Sequence, residues 1–439
     1  MRSINGRWPG GFWNAMPRPR MNLDTIPVRQ DEHFDEQALA SYLKGKLPGT
    51  ENTLTVRQFG GGAANLTYLL DYATHQYVLR RPPLGPVAPT AHDMGREYKV
   101  LSVLHQAYPY APQAYLYCED VSVIGAPFFI MKRYEGVVVR NRIPEVYEVI
   151  PDAPQKMSQA LIDALADFHA VDYKALGLED LGKPEGFIQR QIEGWHRRWE
   201  AAKAEEVPEI DHLYAWLQDH QPHTQEITLV HNDFKLDNTM LDPADPGRVV
   251  AVFDWDMCTL GDPLSDLGAL LTYWTEPSDG PYMQAVAQTF MPIGDDRFLT
   301  RAELVNRYAA RSGRDVTDIH FYHVLGMFRV IVIIAQIYIR YHRGQTQDER
   351  FASFGLLVKN LAKADKAMIY RQINSPWSSI IYLTTVMDKD FSGLNLSMTH
   401  VIYLSPNRVS AKSGPQLNLG IRDHNLITLR HLAAEEDCT

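Results

Sequence analysis

The stretch LVHNDFKLDNTMLD, Leu229 to Asp242, with VVAVFDWDM, Val249 to Met257, close behind it, decides how this chain is read. Both runs are lined by Val, Leu and Phe and have the character of short strands, yet they carry Asp233, Asn238 and Asp254. An unpaired buried carboxylate costs several kcal/mol or shifts its pKa until it is neutral. The two runs therefore either end on exposed turns or converge on something positive.

The spacing points to the second. His231, Asp233 and Asn238 fit H-x-D-x-x-x-x-N, and a strand ending in Asp254 follows. Phosphoryl transfer needs a carboxylate that orients and deprotonates the accepting hydroxyl, and a hard cation that neutralises the phosphates. Asp233 suits the first role. The amide oxygen of Asn238 and the carboxylate of Asp254 suit ligation of Mg²⁺, and Mg²⁺ with ATP would be the missing positive partner. His231 reads as a structural hydrogen bonder rather than a proton carrier. Asp256 stands open between a second metal contact and an exposed turn carboxylate. Asp262 and Asp266 in LGDPLSDLGALL read as residues that cap and brace the helix they begin.

Upstream, TLTVRQF (Thr53–Phe59), NLTYLLDY (Asn65–Tyr72) and QYVLRR (Gln76–Arg81) are rich in β-branched and aromatic residues and read as antiparallel strands. Between the first two lie Gly60, Gly61 and Gly62; with Asn65 these occupy a G-x-G-x-x-G pattern, with Asn in the third place. Glycines there let backbone N–H groups approach an anion, although a plain hairpin turn is the other reading. Arg80 places a cation inside a hydrophobic strand, and Glu97 lies on a helix starting near His92. In kinase-like folds such a strand cation meets nucleotide phosphates and is held by a helix Glu; a surface ion pair is the alternative. A further strand is read over Ala126–Gly136.

Past Gly136 the pattern turns helical, with amphipathic helices around Met157–Phe168, Phe187–Ala202 and Arg301–Ala310. The expectation is an α+β, protein-kinase-like two-lobe fold, with a small antiparallel-sheet lobe and a larger, mostly helical one. Its parts are a flexible extension over 1–22, a nucleotide-binding lobe over 23–135, a catalytic and acceptor-binding lobe over 136–370, and a tail over 371–439 with no assigned role.

Composition narrows the partners. With 45% hydrophobic and 22% charged residues the chain can form a sizeable core. A formal net charge of -10 argues against nucleic acid. Three cysteines, far apart, exclude a disulfide framework and suit a reducing cytoplasm. The apolar run FRVIVIIAQIYI, Phe328 to Ile339, is shorter than the ~20 residues a spanning helix needs. It reads as a buried helix, so no membrane partner is expected.

QFGGGAANLTYLL, YVLRRPPLGP, AHDMGREYKVL, HNDFKLDN, FDWDM and GDPLSDLG together resemble the aminoglycoside phosphotransferase family of kinase-like enzymes, over about Leu23 to Arg371. Within it the chain is similar to the branch found fused to acyl-CoA dehydrogenases, a branch implicated in phosphorylating hydroxylated acyl-CoAs. The resemblance implies Asp233 as catalytic base, Mg²⁺ on Asn238 and Asp254, and Arg80 in the place usually held by a phosphate-binding Lys, with Glu97 its partner. It implies that backbone groups near Lys132 to Tyr134 face adenine and that Met131 lines the pocket. Two departures stand out: Asn232 where Gly is common, and Ala63-Ala64 where a hydroxyl residue is often found.

The expected activity is ATP- and Mg²⁺-dependent phosphorylation of a small-molecule hydroxyl, with a hydroxyacyl-CoA as one candidate acceptor and an aminoglycoside or choline as another. A protein kinase is disfavoured by DWD in place of D-F-G and by the lack of A-P-E after it. A catalytically inactive nucleotide-binding scaffold is the competing class. The helix GFIQRQIEGWHRRWEAA, Gly186 to Ala202, is expected to border the acceptor site, where Trp195, Trp199, Arg197 and Arg198 either meet the acceptor or serve packing and solvation.

Overall fold

Alternation along three strands builds the first layer. Leu66, Tyr68, Leu70 and Tyr72 are buried in one core cluster with Tyr77 and Leu79, and with Phe128 and Ile130. A strand turns successive side chains to opposite faces, so Val78 and Arg80 fall on the reverse face. A computed structural model of the chain describes residues 24–60, 65–83, 93–222, 226–284, 295–346 and 348–371. Gly61, Gly62, Ala63 and Ala64 lie outside the described residues, as do the extension through residue 23 and the tail from 372.

The smaller lobe contains β1 (Thr25–Ile26), α1 (Glu36–Leu43), β2 (Thr55–Phe59), β3 (Leu66–Asp71), β4 (Gln76–Arg81), α2 (Met94–Leu104), β5 (Ala114–Cys118) and β6 (Phe128–Lys132). Its strands pair antiparallel in the order β1-β2-β3-β4-β6-β5. Leu39 and Leu43 of α1 close the core cluster on one face. Asp93 caps α2, accepting from the Arg96 N–H at 3.0 Å. Strand β5, whose YLYC carries no clean alternation, was not expected from the sequence; it is held as the neighbour of β6.

After β7 (Val137–Val138) come α3 (Glu145–Glu148), α4 (Ala153–His169), α5 (Phe187–Ala202) and α6 (Pro208–Asp219). Next are β8 (Thr228–Val230), β9 (Thr239–Asp242), β10 (Asp245–Val252) and β11 (Thr259–Gly261). The described chain closes with α7 (Leu264–Tyr273), α8 (Arg301–Ser312), α9 (Ile319–His342) and α10 (Phe354–Arg371). The strands form two small antiparallel sheets, β10-β9-β7 and β11-β8, against the helices. This is the expected α+β architecture of two lobes.

Helix α9 is 24 residues long, well beyond the Phe328–Ile339 run. By length and composition it could cross a membrane, and 67% of its most apolar window is buried within the fold. Two glycines set its seat. A Cβ on Gly268 of α7 would fall 2.3 Å from the Tyr322 carbonyl, and one on Gly326 of α9 would fall 2.8 Å from the Gly268 oxygen. Only glycine lets the two backbones approach this closely.

Candidate functional site

Parity puts Arg80 on the sheet face opposite the core cluster, and its guanidinium uses two edges. Nε donates to Glu97 of α2 at 2.9 Å, and Nη2 donates to Asp254 in the other lobe. Glu97 and Arg80 are both buried. Burial works against the Arg80 charge, but Glu97, Asp254 and Asp256 outweigh it and raise its pKa. Burial pushes the Asp254 carboxyl up, yet Arg80 holds it below the usual carboxylate range. A planar fork can serve both carboxylates at once, which a point-charge ammonium does less well.

Asp254 sits where β10 breaks off, with φ +68, and Asn232 in the facing loop has φ +66. Left-handed backbone disfavours residues with a Cβ, and Asn and Asp tolerate it best. That explains why a Gly suits position 232 and why Asn can replace it. The Asp233 and Asp254 carboxylates are close enough together that both act electrostatically on His231 and on Asp256.

Several residues hold the loop in that shape. The Asp266 carboxylate accepts from the His231 and Asn232 N–H groups, both at 2.6 Å, and from His169 Nε2 at 3.2 Å. Since a carboxylate only accepts, His169 carries its proton on Nε2, and its Nδ1 accepts from the Tyr308 hydroxyl at 2.7 Å. Asp266 therefore braces the loop rather than its own helix, correcting the expectation. Asp262 does cap α7, accepting from the Leu264 N–H at 2.9 Å and from the Tyr322 hydroxyl at 2.7 Å. His231 donates from Nε2 to the Phe253 carbonyl at 2.9 Å and accepts the Asp233 N–H on Nδ1 at 3.2 Å. Burial lowers its pKa, so this imidazole is a neutral clamp between the loop and the end of β10.

Asp233 itself is held by two donors. The Asn238 amide nitrogen donates to its Oδ2 at 2.9 Å, and the Lys235 ammonium lies 2.9 Å from Oδ2 and 3.1 Å from Oδ1. Lys235 also rests 5.0 Å from the Tyr273 ring centroid. It was not singled out in the sequence, although it stands two residues after Asp233 in the motif; the contact depends on how the 3-10 turn Leu236–Asn238 folds back.

The Asn238 amide, with its nitrogen on Asp233, turns its oxygen away from that carboxylate. With the Asp254 carboxylate this makes a hard-oxygen donor set that suits Mg²⁺, which keeps several waters and needs few protein ligands. Among the described residues no cluster of three or more His, Cys, Asp and Glu forms a self-sufficient metal centre. Asp256 is largely enclosed rather than an exposed turn carboxylate, and Asn65 donates to it from the other lobe at 3.4 Å. Burial and the neighbouring Asp254 push its pKa up to about 6.

Among the residues expected to bind nucleotide, Gly60 joins the end of β2, and its carbonyl accepts from Arg29 at 3.3 Å. Met131 is buried on β6 opposite Val78, on the Arg80 side of the sheet. The Lys132 N–H is donated to Gln113 O at 2.9 Å, so this linker donor is taken and cannot meet a base. The Lys132 ammonium lies 5.0 Å from the Tyr134 ring centroid. A Cβ on Gly136 would fall 2.5 Å from the Met240 Cγ, so the linker passes tightly over β9. On α5, Trp195 and Trp199 are buried as packing residues, and Arg197 makes an exposed pair with Glu193.

Comparison with known proteins bears on the family and the fold. Acyl-CoA dehydrogenase family member 11 of Gallus gallus is 34% identical over 349 residues, which are 77% of this chain and 44% of that protein. The chain thus spans less than half the length of that relative. A protein of Ralstonia eutropha JMP134, named after the aminoglycoside phosphotransferases, has a solved structure that superposes with a TM-score of 0.64 at 31% identity. That match covers 77% of this chain and 99% of the other. Choline kinase from Cryptosporidium parvum shares the fold, with a TM-score of 0.55 at 11% identity over 79% of this chain and 100% of the other. A sequence profile of the phosphotransferase enzyme family matches residues 55–299, and the chain belongs to that family.

Proposed function

We propose that the chain transfers the terminal phosphoryl group of ATP, with Mg²⁺, to a hydroxyl of a small-molecule acceptor, and that a hydroxylated acyl-CoA is the acceptor class. One observation carries the reading: Asp233 and Asn238 in the loop after β8, Asp254 at the end of β10 and Arg80 on β4 come together from three segments, each on a partner that suits its role. The relatives named for acyl-CoA dehydrogenases support the acceptor class.

Asp233 would accept the proton of the acceptor hydroxyl, oriented by the Asn238 amide. Lys235, already on that carboxylate, would offset charge that builds up on the transferring phosphoryl group. Arg80, locked by Glu97, would meet the nucleotide phosphates while holding Asp254 in position. Asn238 Oδ1 and the Asp254 carboxylate would hold Mg²⁺, which when bound neutralises phosphate charge. His231 and Asp266 act through the loop as positioning residues.

The test is Mg·ATP turnover by the full chain against hydroxyacyl-CoAs, aminoglycosides, choline and sugars. Turnover confined to hydroxyacyl-CoAs supports the reading. Turnover of aminoglycosides or choline alone overturns the acceptor class, and nucleotide binding without turnover of any acceptor favours a scaffold.

A further inference from the structure

Two guanidinium groups from different helices lie against one indole at the edge of this site. The Arg198 guanidinium of α5 lies 4.3 Å from the Trp195 ring centroid, and that of Arg329 of α9 lies 5.3 Å from it. Trp195 is anchored by its own indole N–H on Gln191 Oε1 at 3.2 Å. Arg329 also reaches Met257, Nη2 to Sδ at 3.7 Å, and Met257 is the last residue of the DWDM turn that begins with Asp254. The Met257 carbonyl in turn accepts from the Asn232 side chain at 3.0 Å, next to Asp233. Arg329 is near enough to Tyr273 to act on its phenol electrostatically, and Tyr273 is the ring against Lys235. The arginine pair is thus two side chains removed from the carboxylate that faces the acceptor hydroxyl.

Neither guanidinium makes an ion pair among the described residues, whereas Arg307, Arg311, Arg314 and Arg301 on the same lobe each pair with a carboxylate. Like charges held together are destabilising unless an anion joins them, and the chain carries an excess of acidic residues that could have supplied one. Burial, and then the charges of Arg329 and Arg197, lower the Arg198 pKa, as expected for cations facing one another. Arginine forks match phosphate and carboxylate oxygens geometrically, and the stacked indole fixes their planes.

We propose that Arg198 and Arg329 form the anion-binding end of the acceptor site, so that this phosphotransferase selects acceptors carrying a phosphate or carboxylate group and disfavours cationic ones. The proposal rests on the phosphotransferase reading above and adds to it the residues that set specificity. A cationic acceptor would instead need carboxylates at this edge, where two arginines stand. The phosphates of a coenzyme A thioester and the carboxylate of a free hydroxy acid offer the same recognition chemistry and are separated by experiment.

The experiment uses the full chain and the variants Arg198→Gln, Arg329→Gln and Arg329→Lys. Coenzyme A and a free hydroxy acid are titrated separately, with binding followed by tryptophan fluorescence through Trp195. One hydroxyacyl chain is then offered to Mg·ATP and enzyme as its coenzyme A thioester and as its uncharged N-acetylcysteamine thioester. Each Gln variant is expected to weaken coenzyme A binding by about tenfold or more, the size of one lost charge-assisted contact. The preference in kcat/KM for the coenzyme A thioester over the neutral one should fall by a similar factor, carried by KM, and Arg329→Lys should recover part of it. If only the hydroxy acid shows this dependence on arginine, the recognised group is a carboxylate. Wild-type protein that binds neither anion, or Gln variants that bind both as wild type does, overturns the proposal. Turnover of a neutral acceptor in that case leaves the phosphotransferase reading standing. Arginine-dependent binding without turnover of any acceptor keeps the anion site and removes the phosphotransferase reading.

Discussion

Replacing Asp266 by Asn tests whether one carboxylate sets the shape of the loop that carries Asp233. The native side chain accepts three hydrogen bonds, two of them from adjacent backbone N–H groups at 2.6 Å. Asn keeps a single acceptor oxygen, so its NH₂ must face either the His231 or the Asn232 N–H and leave that donor buried and unsatisfied. An orphaned buried donor costs about 1–3 kcal/mol, and the surviving contacts lose charge assistance, which adds about 1–2 kcal/mol. A loss of about 3–4 kcal/mol in unfolding free energy is expected, read from the shift of a urea midpoint. The same contacts hold Asn232 at φ +66, a conformation costing about 1 kcal/mol that the loop would relax once released. Displacing Asp233 by about 1 Å should lower kcat by roughly 10²-fold. The pH profile adds a signature. Burial pushes Asp266 up, but His169 and the two N–H donors hold its pKa below the ordinary value. Its stabilisation is therefore complete above the unfolded carboxyl pKa of about 4 and is lost as pH falls through the lower folded value, a limb the variant should lack. An Asp266→Asn protein with an unchanged urea midpoint and a kcat within twofold of wild type would refute this account of the loop.

Asp233→Asn should leave Mg·ATP affinity intact and reduce turnover by roughly 10²–10⁴-fold, whereas Asp254→Ala should weaken Mg·ATP binding and turnover together; normal turnover by Asp233→Asn would remove it as the base. Arg80→Ala and Glu97→Ala should each weaken nucleotide binding, with the double variant little worse than the worse single one; strictly additive losses in a calorimetric cycle would mean that the pair does not act as a unit. Burial raises the Asp262 pKa to about 6, against the Tyr322 and Leu264 contacts, so the folded state holds this proton where the unfolded chain releases it. The Asp262 contribution to wild-type stability should therefore fall by about 2 kcal/mol as pH rises from 4 to 6, and Asp262→Asn should flatten that slope; an identical slope in both proteins counts against the assignment. Gly268→Ala should drive α7 from α9 and lower stability by about 3 kcal/mol or more, as overpacking does; a melting temperature equal to wild type would contradict the close approach.

Much of this was legible in the residues alone, because periodicity is local. The alternation in NLTYLLDY and QYVLRR set the strands and sent Arg80 to the cleft face, since a period of two leaves no other choice. The spacing of His231, Asp233, Asn238 and Asp254 announced a charged loop beside a strand end. Tertiary structure decided what periodicity cannot encode. Asp266 belongs by sequence to the first turn of α7, yet its carboxylate serves a loop 34 residues away, because only the fold brings unsatisfied N–H groups to it. Lys235 was silent in the motif until the 3-10 turn folded it onto Asp233, and Gly268 and Gly326 acquired meaning only where two helices cross. Arg198 and Arg329 stand far apart in the chain on helices whose sequences show ordinary amphipathic or apolar faces. Their convergence on Trp195 comes from the packing of α5 on α9, a long-range contact made by the core rather than by any local preference.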